Sequence, residues 1–208
     1  MRPEGTTVRL RRARPSDARA VAELHVGTWK AAYPGLLPQD YLDDLAPEDR
    51  LGDWEQALAA SPWPVVLVAE EGPTLLGFAS VAPSRDEDAD GTVGEVQTLY
   101  VGPRAWRAGV GTALLEAAGE ALAEAGFTTG TLWVLDVNDR ARRFYERNGW
   151  WADGATKEHD WVAFVATDVR YRRALEGPSP GRSAPEVHAD AGPFLPGGVN
   201  RPHEGTDG

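Results

Sequence analysis

A β-patterned run, Val93 to Val101, stops at Gly102-Pro103. A loop reading Arg104-Ala-Trp-Arg-Ala-Gly-Val-Gly111 then leads into a long amphipathic segment. Strand, glycine loop and helix start, in that order, aim backbone N–H groups at a phosphate, with the positive end of the helix dipole behind them. The loop lacks the Lys-Ser/Thr pair of a P-loop, which argues against phosphoryl transfer from ATP. It is not Gly-x-Gly-x-x-Gly either, and no acidic residue follows on a second strand as in a dinucleotide fold. Alone, Gly109-Val-Gly111 leaves two readings open: a phosphate cradle, or a tight turn that merely enters a helix.

A second segment, Asn138-Asp-Arg-Ala-Arg-Arg-Phe-Tyr-Glu-Arg-Asn-Gly-Trp150, comes one strand after the glycine-loop helix. With it the chain resembles the GNAT N-acetyltransferase superfamily. The family's acyl-CoA signature, Arg/Gln-x-x-Gly-x-Gly/Ala, aligns with Trp106-Arg-Ala-Gly-Val-Gly111. Leu99-Tyr-Val before it and Asn-x-x-Ala-x-x-Phe-Tyr-x-x-x-Gly-Trp after it also match. The resemblance implies an α/β (α+β) fold: a twisted mixed central β-sheet flanked by helices, with strands four and five splayed to admit a pantetheine arm. It implies acetyl-CoA as acyl donor and no metal. Leu99 and Val101 would offer main-chain groups to the pantetheine. Trp106, Arg107, Ala108, Gly109, Val110, Gly111 and Thr112 would cradle the pyrophosphate. Asn138 either reaches the donor's amides or caps its own helix. The signature's leading Arg/Gln is Trp106 here, with Arg107 beside it, so main-chain amides carry the expected contact.

Acyl transfer from a thioester to an amine needs a neutral amine, a stabilised carbonyl oxygen and a protonated leaving thiolate. A lysine-like amine with a pKa near 10.4 is about one part in a few thousand neutral at pH 7, a cost of about 4–5 kcal/mol, so a base or water chain is expected. Glu95 is the candidate base, or else a solvated strand carboxylate. Tyr145 is the candidate donor to the leaving thiolate, because a phenol stays protonated at neutral pH. No cysteine exists for an acyl-enzyme, so direct transfer in a ternary complex is expected. The alternative is a non-catalytic acyl-CoA-binding regulatory module on the same fold.

For the acceptor, Trp29 and Tyr33 follow His25 at helical spacing, as a core stripe or as one wall of the pocket. Gln97 is placed to orient a water. In strict alternation Glu95, Gln97, Leu99 and Val101 share one side of the strand, opposite Val96, Thr98 and Tyr100, unless a bulge breaks the parity. His159 and Asp160 read as a turn bordering the acceptor.

The net charge of −11 argues against nucleic acid as a partner, which needs clustered Lys and Arg. It is compatible with a cationic small-molecule or peptide amine, or with solubility alone. No leader-like segment or apolar run near the roughly 18 residues of a membrane helix is present. The expectation is a cytoplasmic protein, monomer or homodimer, with no membrane partner.

The elements alternate between α and β patterns. Residues 6–175 read as one acetyltransferase domain. Residues 176–208 read as a Gly/Pro-rich tail that cannot offset its own ordering entropy. Ser16 is the expected N-cap of the first helix. Val110, Leu114, Ala117, Ala118, Ala121, Leu122 and Ala125 form one helical apolar face, with Gly126 closing it. Asn138 is placed to cap a helix that ends at Asn148-Gly149.

Overall fold

The computed structural model describes residues 8–160 and 165–176. Residues 177–208 of the expected tail, residues 1–7 and Trp161 lie outside the described residues. The elements run β1 Arg9–Arg12, α1 Ala18–Ala32, α2 Gln39–Asp44, α3 Glu48–Ala59, β2 Val65–Glu71, β3 Thr74–Pro83, β4 Val93–Val101, α4 Val110–Glu124, β5 Thr129–Leu135, α5 Asp139–Arg147, β6 Trp151–Asp160 and β7 Val165–Ala174.

The seven strands form one sheet in the order β1-β2-β3-β4-β5-β7-β6. All neighbours are antiparallel except β4 and β5, which run parallel. Alternation along β2 sends Leu67 and Ala69 to one face and Val66 and Val68 to the other. The first face packs on α4 through Leu114, Leu115, Ala118 and Leu122. The second packs on α1 and α3 through Val21, Ala22, Trp54 and Ala57. The apolar stripe of α4 is buried as its spacing implies, and Gly126 ends the helix at φ 94 while Phe127 N bonds back to Leu122 O at 3.1 Å.

Two sequence expectations about local structure need correction. Ser16 does not cap α1: it lies inside a single helical turn, Pro15–Asp17, and Asp17 accepts from Arg14 N at 2.7 Å instead. That carboxylate also receives Arg11 at 2.6 and 3.0 Å, and a charged acceptor outcompetes a hydroxyl. His159 and Asp160 are not in a turn, since they pair with Ala166 and Val165 in the β6–β7 ladder.

The expected parity of β4 also fails, and this matters more for the site. Ser80 pairs with Thr98 and the next residue, Val81, pairs with Val96, so Gln97 is the extra residue of a β-bulge. Below the bulge Val96 packs toward α4; above it Leu99 and Val101 do. Glu95 therefore shares the α1 face with Thr98 and Tyr100, not with Leu99 and Val101.

Candidate functional site

Strands β4 and β5 pair over only three residues, Val93↔Thr129, Gly94↔Gly130 and Glu95↔Thr131. Beyond Glu95 they diverge, and a cleft of about 2050 Å³ opens between them. Its walls come from α1, the β3–β4 loop, β4, the start of α4, β5, α5, β6 and β7.

At one end lies the glycine loop. Gly109 stands at φ 83, where a side chain is disfavoured, and Arg107 at φ 62 is the one described non-glycine residue with positive φ. Such strain costs of order 1–3 kcal/mol and clusters at ligand clamps. Left-handed residues next to helical ones turn successive N–H groups toward one point. Ala113 N makes the first bond of the α4 helix, to Gly109 O, so the N–H groups of Val110, Gly111 and Thr112 have no carbonyl one turn earlier. Gly111 leaves clearance, since a Cβ there would lie 3.4 Å from the Phe144 ring. This cradle fits a pyrophosphate.

Of the residues expected at this end, Leu99, Val101, Trp106, Arg107, Gly109, Gly111, Thr112 and Asn138 line the cleft. Ala108 does not, and the Val110 side chain is core at 2% exposure, leaving only its amide to offer. The Val101 carbonyl already accepts the Trp106 indole N–H at 2.6 Å. Asn138 caps α5, its Oδ1 accepting from Ala141 N at 3.1 Å.

Both expected chemical groups line the cleft. Tyr145, on α5, is 9% exposed and lines the cleft. Burial first, then Tyr100, push its phenol pKa well up, so it stays a donor at any ordinary pH. Glu95 is 8% exposed. Burial raises its pKa; Lys157 and Arg85 lower it, and Asp86 raises it.

The far end carries groups that sequence reasoning missed. The Lys157 ammonium, from β6, sits 4.1 Å over the Trp133 ring, and burial lowers its pKa. Arg170, from β7, is buried and holds Asp86 at 3.1 Å, Asp88 at 2.6 Å and Asp153 at 2.7 Å. Trp133 Nε1 donates to Asp86 at 3.0 Å. The acidic β3–β4 loop is thus tied down as one wall. Trp29 and Tyr33, from α1, line the cleft as well, with Gln97. His25, their helical neighbour, is core: it accepts from Trp54 Nε1 at 3.2 Å, and burial drops its pKa to about 3. Gln97 Oε1 and Thr28 Oγ1 are buried without a hydrogen-bond partner among the described residues. Both line the cleft, and such atoms normally find partners.

Among the described residues no group of three or more His, Cys, Asp or Glu could hold a metal ion, and no helix is long and apolar enough to cross a membrane.

Comparison with known proteins bears on this arrangement. The model of the acetyltransferase (GNAT) family matches residues 22–150. An uncharacterized N-acetyltransferase of Bacillus subtilis is 32% identical over 63% of this chain and 73% of its own. A probable N-acetyltransferase of Mycobacterium tuberculosis is 30% identical over 73% of this chain and 84% of its own. The PaiA N-acetyltransferase of Thermoplasma acidophilum, solved with coenzyme A, shares the fold with a TM-score of 0.62 at 20% identity, over 81% of this chain and 99% of that one. The splayed strands, the glycine cradle and these matches agree, and the chain belongs to the acetyltransferase (GNAT) family of acyl-CoA-dependent enzymes.

Proposed function

We propose that this acetyltransferase moves an acetyl group from acetyl-CoA directly to a primary amine of a cationic small-molecule or peptide acceptor. The observation that carries the reading is that Glu95, Tyr145 and the glycine cradle line one cleft. Bound there, acetyl-CoA supplies an activated thioester carbonyl.

The residues of the chain would act as follows. The N–H groups of Gly109, Val110, Gly111 and Thr112 receive the pyrophosphate, each such dipole interaction being worth about 0.3–1 kcal/mol at an exposed site, whereas the Ala108 N–H is already bonded to Ala105 O at 3.3 Å. Leu99 offers main-chain groups to the pantetheine, whereas the Val101 carbonyl is already engaged by Trp106. Glu95 takes the proton of the incoming ammonium, directly or through a water oriented by Gln97. Burial raises its pKa, which makes it a stronger base than an ordinary carboxylate. Tyr145 Oη donates to the departing sulfur, and its burial keeps that proton available.

A cationic acceptor is supported by the carboxylates Glu87, Glu95 and Asp168 along the cleft and by the aromatic wall of Trp29, Tyr33 and Tyr100. Gln97 Oε1 and Thr28 Oγ1 are acceptors for its N–H or O–H groups. The test is a thiol-release screen of the full chain with acetyl-CoA and longer acyl-CoAs against polyamines, aminoglycosides, amino acids and peptide amines. Release driven by a cationic amine is expected. Coenzyme A binding without release across the panel would instead support a regulatory acyl-CoA-binding module.

A further inference from the structure

Trp106 stands where the acyl-CoA signature has Arg or Gln, and its contacts show what it does instead. Its indole N–H is committed to the Val101 carbonyl at the end of β4, at 2.6 Å. That bond orients the ring within the cleft wall, and the guanidinium of Arg140 lies over it, 4.4 Å from the ring centroid. Arg140 is in the first turn of α5, a turn held by the Asn138 cap. Arg140, Trp106, Arg107, Gly109, Gly111 and Thr112 line the same cleft.

Two neighbouring arginines on α5, Arg142 and Arg143, are engaged elsewhere. Arg142 donates to Tyr171 Oη at 3.2 Å and to Asp136 O at 2.9 Å. Arg143 pairs with Asp139 at 3.7 Å. Arg140 has neither kind of bond among the described residues; it is held only by its face. Stacking uses the face of a guanidinium and leaves its N–H edges free, the geometry that grips a phosphate in two places.

We propose that Arg140, carried on Trp106, is the cation that binds the pyrophosphate of the acyl donor in this chain. The cation that the signature places in the loop is supplied from α5, and Trp106 is its platform. The inference rests on the reading of the donor as a coenzyme A thioester.

Calorimetric titration of the full-length chain with coenzyme A and with 3′-dephospho-coenzyme A tests it. Arg140→Gln is expected to weaken both ligands equally, by about tenfold, with an unchanged melting temperature because the residue is exposed. Trp106→Ala should cause a similar loss, and the double variant should be no worse than the weaker single one. Trp106→Phe keeps the platform and should stay within about threefold of wild type, which separates the stacking role from a general loosening of the loop. An Arg140→Gln chain that binds both ligands like wild type would overturn the proposal. So would a loss confined to coenzyme A, which would assign Arg140 to the 3′-phosphate. Wild-type protein that binds neither ligand would overturn the donor reading and this assignment with it.

Discussion

Glu95 and Thr131 are the last residues that β4 and β5 pair before the two strands separate. Glu95 is therefore anchored by a ladder on one side and open to the cleft on the other. Thr131 Oγ1 donates to Gly94 O at 3.2 Å and closes the fork beneath it. A carboxylate at that point is buried enough to be raised in pKa yet remains in contact with the space where an acyl group and an amine would meet.

Glu95 and Lys157 should shape the pH profile together. A base works when deprotonated, so activity rises with pH through the Glu95 pKa, which burial has lifted. The Lys157 charge lowers it, as does Arg85, while Asp86 raises it. Lys157→Gln should move the acidic limb of kcat/KM to higher pH, and Lys157→Arg should leave it near wild type. Glu95→Gln should cut kcat by about 10²–10⁴. A limb that stays put or moves to lower pH in Lys157→Gln contradicts this coupling.

Tyr145→Phe should lower kcat by about 10²-fold or more, in the range of losing one preorganised donor, and leave coenzyme A affinity within about twofold. The phenyl ring would still pack beside Phe144 and Tyr171. Steady-state kinetics with calorimetry decides, and an equal loss in affinity and turnover would make Tyr145 a packing residue.

The same Glu95 shift has a stability consequence. A carboxyl whose folded pKa is raised stabilises the fold while protonated, and that contribution is lost as pH rises. Glu95→Gln, neutral throughout, should therefore melt higher than wild type at pH 8. The difference should shrink as pH falls toward about 4, the ordinary carboxylate range. A variant less stable than wild type at high pH would refute the argument.

Arg170 is the hub that ties the β3–β4 loop to the sheet. Arg170→Met would leave Asp86, Asp88 and Asp153 without their shared cation. Breaking a buried pair from one side costs about 3–5 kcal/mol; the low end applies here because Asp88 is mostly exposed. Urea unfolding should show a loss near 3 kcal/mol, and a loss under about 1 kcal/mol would mean the loop is held by other contacts.

Two glycines should respond with opposite signs. Gly119 lies inside α4, and a Cβ there would meet only Leu175, at an ordinary 3.6 Å. Gly119→Ala should stabilise by about 0.5–1 kcal/mol. A Cβ on Gly77 would lie 2.8 Å from the Tyr100 carbonyl oxygen. That oxygen belongs to the β4 backbone, so Gly77→Ala should cost about 1–3 kcal/mol. Thermal or urea unfolding of both variants checks the pair.

How far the primary structure could be read differs between the two ends of the cleft. The phosphate cradle depends on consecutive residues: a glycine at φ 83, the free amides of one helical turn and a capped second helix. Their conformation is set locally by residue type, so Gly109, Gly111 and Asn138 announce it. The amphipathic faces of α1 and α4 are legible for the same reason, since helical period is a property of the chain alone.

The other end of the cleft is set by strand register, which no local pattern encodes. One extra residue at Gln97 moves Glu95 to the face of Tyr100. Lys157, Trp133 and Arg170 come from three strands, and β6 is too polar to reveal which of its residues face inward. Arg140 meets Trp106 only because α5 lies beside the glycine loop. Chemistry carried by neighbouring amides was therefore readable along the chain, while chemistry carried by distant side chains appeared only when the sheet brought them to one side.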